Sequence, residues 1–391
     1  MYIRMAVPEN QTPVDESQVN GDILEVILSR APLVDLVSAS LVSKSWNHAV
    51  TSSLRWLNKP KPWLFVHTQS TRSPQDVSTR AYDHRSSEWV HIAPNAAAAS
   101  SIYVSPIRSS NSNLIYMLSP TMLSFSFHAL SAEWHHVQAP TVWRTDPIVA
   151  YVGGSIVIAG GTCDFEDDPL AVEMHSLEDG STWRMCDSMP PILKDSSAST
   201  WLSIATTPDK LVVTEKLTGA THCFDPRTKT WSGPYNLRPD PRMSLSIIGF
   251  SANRGLLLMG AIVSGDAQGI KLWEVHSQTF ECVEIGEMPA GFVGKLQSET
   301  FGISSINLCI AGDYVHIYNG SHAEDVVVCE LGGGGGREWW SIKNMAVVAD
   351  HGNSKMERVV FTSSSEVGVD ELRRAMRSGQ GTTFTVCDRS R

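Results

Sequence analysis

The sequence predicts a mainly β protein, a ring of six four-stranded blades preceded by a small bundle of three helices. Three observations predict it. An outline of aromatic, acid, turn and second aromatic recurs along the chain, clearest at Phe224, Asp225, Pro226 and Trp231, and again at Tyr82, Asp83, Trp89 and at Trp273, Glu274, Phe280. Phe127 and Trp134 keep the spacing with His128 in place of the acid, and looser copies stand at Met174, His175, Trp183 and at Cys329, Glu330, Trp339. The closing aromatics at 89, 134, 183, 231, 280 and 339 lie 45, 49, 48, 49 and 59 residues apart, too long a period for helical solenoids and suited to propeller blades. Residues 19–57 lack this outline and carry apolar residues at helical spacing instead.

The outline has a physical reading as a hairpin: a strand ends in an aromatic, a turn follows, and the return strand sets the second aromatic opposite the first. One blade cannot cover both of its faces, so blades must stack into a ring. A repeat ring also accommodates 391 residues, 42% of them hydrophobic, without a second large domain.

Residues 1–18 are polar, with Pro8 and Pro13 and no periodicity, and read as a disordered lead. In residues 19–57, Asp22 and Glu25 form a capping-box pair ahead of the stripe Ile23, Leu24, Ile27 and Leu28. Pro32 opens a second short helix with Leu33, Leu36 and Val37 on one side, and Ser43 caps a third bearing Trp46, Ala49 and Val50. Three helices this short hold more large apolar groups than they can cover, and the surplus implies a partner surface.

The run from Gly21 to Asn47, with ILSRAP and VSKSWN inside it, resembles an F-box. The family usually opens with Leu-Pro, where this chain has Val19 and Asn20. The resemblance implies docking on a Skp-family adaptor of a cullin-RING ubiquitin ligase. Its matching positions make Val19, Asn20, Ile23, Leu24, Pro32, Leu36, Val42 and Trp46 the adaptor-facing candidates. A rival role for half of them is to fill the bundle's own core. Trp46 is the expected anchor, a group whose truncation typically costs ~2 kcal/mol or more of binding.

Pro60, Lys61 and Pro62 form a stiff link into a first blade of three strands, 63–67, 79–84 and 88–92. The second blade reads as 101–107, 114–118, 123–128 and 134–138, and the third as 146–152, 155–160, 170–175 and 183–186. The fourth, fifth and sixth cover about 199–235, 243–286 and 301–343. Arg358 to Thr362 has no repeat of its own and should close the ring as the innermost strand of the first blade. The ring thus spans 63–365. Residues 366–391 follow as a tail with a helix at 370–376 and a last strand at 382–386.

In the third blade, Ile156 to Ala159 followed by Gly160 and Gly161 resembles the kelch repeat, and the fifth keeps Gly260 with Ala261. An F-box followed by such a ring resembles the plant F-box/kelch-repeat family of ligase substrate receptors. The stretches DPIVAYVGG, IAGGTCDFEDD and TWLSIATTPDKLVVTEK are most similar to members whose clients are phenylpropanoid and flavonoid enzymes such as chalcone synthase.

Other classes find little support. The longest apolar run, Leu256 to Val263, is broken by Gly260 and falls short of the ~18 residues of a membrane span. The start has no secretory pattern, and seven scattered cysteines without a CxxC pair suit a reducing compartment, cytoplasmic or nuclear. A net charge of −10 disfavours broad nucleic-acid binding, and the basic knot Arg373, Arg374, Arg377 reads as a solvated helix face. Hydrolase and phosphate-loop motifs are absent, and so is metal-ligand spacing. Gly332 to Gly336 reads as a loop, and the cluster Asp164, Glu166, Asp167, Asp168 as an exposed acidic loop lacking calcium-loop spacing. No catalytic residue, cofactor or metal is therefore expected. A kelch scaffold outside ubiquitin chemistry and a metal-dependent ring enzyme remain as alternatives.

Function then lies in surfaces. Loops joining second to third strands, and linkers between blades, emerge on one face and are the longer ones, so that face is expected to hold the client. Trp143, Arg144, Arg238 and Arg242 are the client-binding candidates, being aromatic or arginine in linkers.

Overall fold

The computed structural model describes residues 21–93, 105–111, 114–127, 130, 133–161, 168–178, 182–194, 196–265, 267–297, 305–332, 336–348, 357–365, 367–377 and 381–387. Three helices, α1 (Gly21–Leu28), α2 (Leu33–Val42) and α3 (Lys44–Ser52), precede a six-bladed β-propeller. Ser43 caps α3, its hydroxyl accepting from the Trp46 amide at 3.2 Å. Asp22 falls inside the first turn of α1, where its charge meets the positive helix end.

Five blades have four antiparallel strands, each with its first strand innermost. The first blade has five. Strand Glu357–Ser364 pairs in register with Trp63–Ser70, from Trp63 opposite Ser364 to Ser70 opposite Glu357, and so joins the two ends of the chain. The last strand, Thr383–Val386, adds to the outer edge of the same blade against Glu88–Ala93, where it covers backbone groups that would otherwise face water.

The recurring aromatics are cross-strand pairs in the first and fourth blades. Tyr82 faces Trp89 with rings 5.3 Å apart, and Phe224 faces Trp231 at 5.2 Å. The fifth blade departs from the pattern. The ladder that runs back from the turn, Val275 opposite Cys282 and Glu274 opposite Val283, places Trp273 opposite Glu284, while Phe280 sits in the turn at φ +58 and stacks on Tyr235 of the fourth blade at 4.0 Å. The second blade departs too: its innermost strand is Arg108–Asn111, and the expected strand at 101–107 falls partly outside the described residues.

Gly161, at φ +97, shows why the third blade needs its diglycine, since a Cβ there would lie 2.8 Å from the Thr145 carbonyl oxygen and 3.1 Å from the Pro147 backbone. Backbone cannot move aside as a side chain can, so Gly161→Ala is expected to destabilise by about 2 kcal/mol or more, measurable as a lower midpoint in urea. Gly260 serves differently. It lies within a strand, and a Cβ there would meet Met243 and Trp273 side-chain atoms at 2.5 and 2.7 Å, so it admits packing without making a turn.

Three buried histidines sit at the ring closure. His67 lies between the Thr79 and Thr362 hydroxyls at 3.0 and 3.2 Å, and the Nε2 atoms of His84 and His316 are 2.8 Å apart across the first and sixth blades. Burial lowers His67 and His316 to about 4, and burial followed by the nearby His316 lowers His84. The unfolded chain therefore binds more protons than the folded one between pH ~6.5 and ~4. Stability is expected to be full above pH ~6.5 and to fall toward pH ~4, by on the order of 2–3 kcal/mol per buried imidazole. Melting curves from pH 7.5 to 4.5 check this, and His316→Gln should flatten the profile.

Candidate functional site

The helical domain shares a core with the ring. Leu24, Leu28, Leu33, Leu36, Val37, Ala49 and Val50 pack in one cluster with Trp63, Phe65, Ala81, Val90 and Ile92 of the first blade and with Leu372 and Ala375 of the C-terminal helix Val369–Arg377. The ring also supplies the helix caps. Arg85, in the turn joining the third and fourth strands of the first blade, donates to the Leu28 carbonyl at 2.9 Å, to the Asn58 carbonyl at 3.0 Å, and to the Ala31 carbonyl. One guanidinium thus ties the last residue of α1, the lead into α2 and the residue that follows the 53–57 turn. Asp83 accepts from the Leu33 amide at 3.3 Å, at the positive end of α2. Arg373 of the C-terminal helix bonds Ser40 of α2 at 2.8 Å and pairs with Asp370. It is thus a staple, while Arg374 remains on the exposed face, paired with Glu371.

This packing separates the adaptor-facing candidates. Leu24 and Leu36 are buried in the shared core and present nothing to a partner. Pro32 and Trp46 are half-buried, with Trp46 packed against the same cluster, so it is partly a core residue rather than a free anchor. Ile23 is 54% exposed and Val42 is 62% exposed. Val19 and Asn20 lie outside the described residues. Sequence reasoning missed Val26, Ile27, Leu41, Trp56 and Leu57, all exposed. Ile23, Val26 and Ile27 lie three and four apart on the outer face of α1, opposite the Leu24/Leu28 face. Helix α1 is apolar nearly all round, and that was the available signal. Trp56, 70% exposed, carries Arg55 over its ring at 4.8 Å.

Strand order fixes the two faces of the ring. The chain enters the first blade at Trp63, on the side of the first-to-second and third-to-fourth strand turns, so the helical domain sits on that side with Arg85. Linkers and second-to-third strand turns emerge on the other. There Trp143, Ile192, Trp201, Leu217 and Val263 are exposed, whereas Tyr151 and Val283 lie near the opposite turns and Met185 on an outer strand.

Of the client-binding candidates, Trp143 is 42% exposed in its linker. Arg144 beside it is only 1% exposed and does not reach a client. Its guanidinium pairs with Glu173 at 2.7 Å and donates to the Ala171 carbonyl at 2.6 Å, while Glu173 accepts from the Thr141 and Val142 amides at 2.7 and 3.1 Å. A closed network of this kind holds a linker in place. Arg238 is half-buried and braces its loop through the Leu217 and Met243 carbonyls. Arg242 is exposed and paired with Asp240 at 2.6 Å, which holds the Asp240 carboxyl down at about 2. Asp164, Glu166 and Asp167 of the acidic loop lie outside the described residues.

Comparison with known proteins bears on both surfaces. The F-box domain model matches residues 18–58. An F-box/kelch-repeat protein of Arabidopsis thaliana is 42% identical over 376 residues, covering 93% of this chain and 94% of its own. This chain belongs to the F-box/kelch-repeat family. Among solved structures, a protein of Bacteroides fragilis described as a candidate 6-phosphogluconolactonase overlays with a TM-score of 0.41 at 12% identity, over 73% of this chain and 96% of its own. A counterpart from Bacteroides uniformis gives 0.40 at 13% identity, over 73% and 97%. Among the described residues of this F-box/kelch-repeat chain, no helix is long and apolar enough to cross a membrane and no group of three or more His, Cys, Asp or Glu side chains could hold a metal ion.

Proposed function

We propose that this F-box/kelch-repeat protein is the substrate receptor of a Skp-cullin-F-box ubiquitin ligase, cytoplasmic or nuclear, that marks a client protein for degradation. The observation that supports this reading most is the pair of apolar surfaces at opposite ends of one rigid body: the outer face of α1 with Ile23, Val26 and Ile27, and the linker face with Trp143, Trp201 and Leu217. The first surface docks the adaptor, with Val42, Pro32 and the open side of Trp46 beside it and Val19 and Asn20 preceding it in the chain. The second holds the client, with Trp143 and Arg242 among its contacts. The protein makes no bond itself. It brings client lysines close to a charged ubiquitin carrier, and the gain is in effective concentration.

The resemblance to receptors of flavonoid and phenylpropanoid enzymes makes an enzyme of that class, chalcone synthase first, the client to test. Deleting the F-box is a poor way to trap a client, because it strips the cover from Trp63, Phe65 and Ala81 in the shared core. A full-length Ile23→Asp/Ile27→Asp chain keeps that core and should retain client while releasing adaptor. Capture of chalcone synthase by this trap, and its ubiquitination by the wild-type complex, is the expected outcome. Stable adaptor binding with no client modified by the reconstituted ligase would contradict the receptor role.

A further inference from the structure

The central channel of the ring has two mouths of different chemistry. On the F-box side a cavity of about 540 Å³ is bordered by Tyr151, Gly153, Thr206, Phe250 and Gly312, and no charged side chain lines it. On the linker side a cavity of about 350 Å³ is lined by Arg108, Lys216 and Arg358 against a single carboxylate among the described residues, Asp146. This is a net positive hollow in a chain whose net charge is −10.

The one carboxylate is already committed. Asp146 pairs with Arg108 and accepts from the Ser199 amide and hydroxyl at 3.0 and 2.5 Å, and its backbone is held at φ +51, a conformation that a non-glycine residue keeps only where its surroundings impose it. Lys216 is only 3% exposed and donates to two neutral oxygens, the Ser199 carbonyl and Asn307 Oδ1, both at 3.1 Å. An ammonium has three donors, so one is left. Arg358, half-buried on the closing strand, has no carboxylate within ion-pair distance among the described residues. Burial lowers Lys216 to about 8, and burial followed by the neighbouring Arg108 charge lowers Arg358, the Asp146 charge offsetting only part of either effect. One carboxylate shared among three cations leaves positive charge uncompensated, which costs free energy in a half-buried site. Perturbed groups that converge on a cavity are candidates for a binding site.

We propose that the linker-side mouth binds an oxyanion, a carboxylate or phosphate group, through Lys216 and Arg358, with Ser199 and Asn307 orienting the lysine. The hollow is of small-ligand size, and the side chains of Ile107, Ile248 and Val360 line it beside the cations, so the anion enters with an apolar neighbour. The anion site does not depend on the receptor reading. Its source does: the oxyanion is either a free small molecule or a carboxylate carried by the client.

Calorimetric titration of the full-length protein at low salt with inorganic phosphate, and separately with succinate, tests the site. Saturable one-to-one binding of at least one of these anions is expected, weakened at least tenfold by Arg358→Gln with the melting temperature unchanged or raised, because a repelling cation has gone. Lys216→Met should weaken it as well. No saturable binding of either anion, or binding that both variants leave intact, overturns the proposal. Elution of a captured client from the Ile23→Asp/Ile27→Asp chain by the same anion assigns the seat to a client carboxylate, and retention assigns it to a free anion. Adaptor affinity measured on the same preparation reads the receptor role separately, so either idea can fail alone.

Discussion

Ile23→Asp/Ile27→Asp in the full-length chain is expected to lower affinity for a Skp-family adaptor at least a hundredfold, about 3 kcal/mol, with the melting temperature nearly unchanged. Both side chains are 54% exposed and lie one helical turn apart, so each aspartate stays hydrated in the free protein and is dehydrated only on docking. The contrast with their neighbours makes the test specific. Leu24→Ala and Leu36→Ala remove side chains from the shared core and should cost roughly 2–5 kcal/mol of stability each. Their effect on adaptor affinity should appear only as loss of folded protein. Surface plasmon resonance together with a melting curve separates the two classes.

The second large effect is expected at Arg85. Arg85→Ala leaves the carbonyls of Leu28, Ala31 and Asn58 without their guanidinium donor, while the Arg85 amide from which Asp83 accepts is backbone and stays. The group is buried, so water does not replace the lost bonds well, and roughly 2–4 kcal/mol of stability should go. The loss should be uneven. The α1 ridge does not touch Arg85, so adaptor affinity of the folded fraction should change less than threefold. The angle between F-box and ring depends on it, so ubiquitin transfer to a client should fall more than adaptor binding does. Hydrogen exchange on the 28–33 segment should rise first, as local opening. Equal losses in adaptor binding and transfer would show that Arg85 supports only the fold.

How much of this was legible in the sequence differs by element. The closing strand was legible, because Arg358 to Thr362 is a β-rich run with no hairpin partner of its own, and a ring supplies only one open position. Phe280 misled, because its seven-residue spacing from Trp273 is the same whether it faces that residue or reaches the fourth blade; the position of the turn between Val275 and Cys282 decided the matter. Arg144 misled for a longer-range reason. Trp143 and Arg144 are adjacent in one linker, and only the position of Glu173 in another strand turns one outward and the other inward. The cationic hollow at the linker-side mouth was not legible at all, because Lys216 and Arg358 come from different blades and line one cavity only when the ring closes. In the F-box, the surplus of apolar groups was visible, but their division between ridge and shared core depended on the first blade and the C-terminal helix lying beneath them.

Hydrogen exchange of the intact chain, with and without a Skp-family adaptor, tests the central claim most directly. Slowed exchange confined to α1, the Leu41–Val42 end of α2 and the 53–57 turn, with the linker face unchanged, is the predicted result. Protection of the linker face, or no protection of α1 at saturating adaptor, would contradict it.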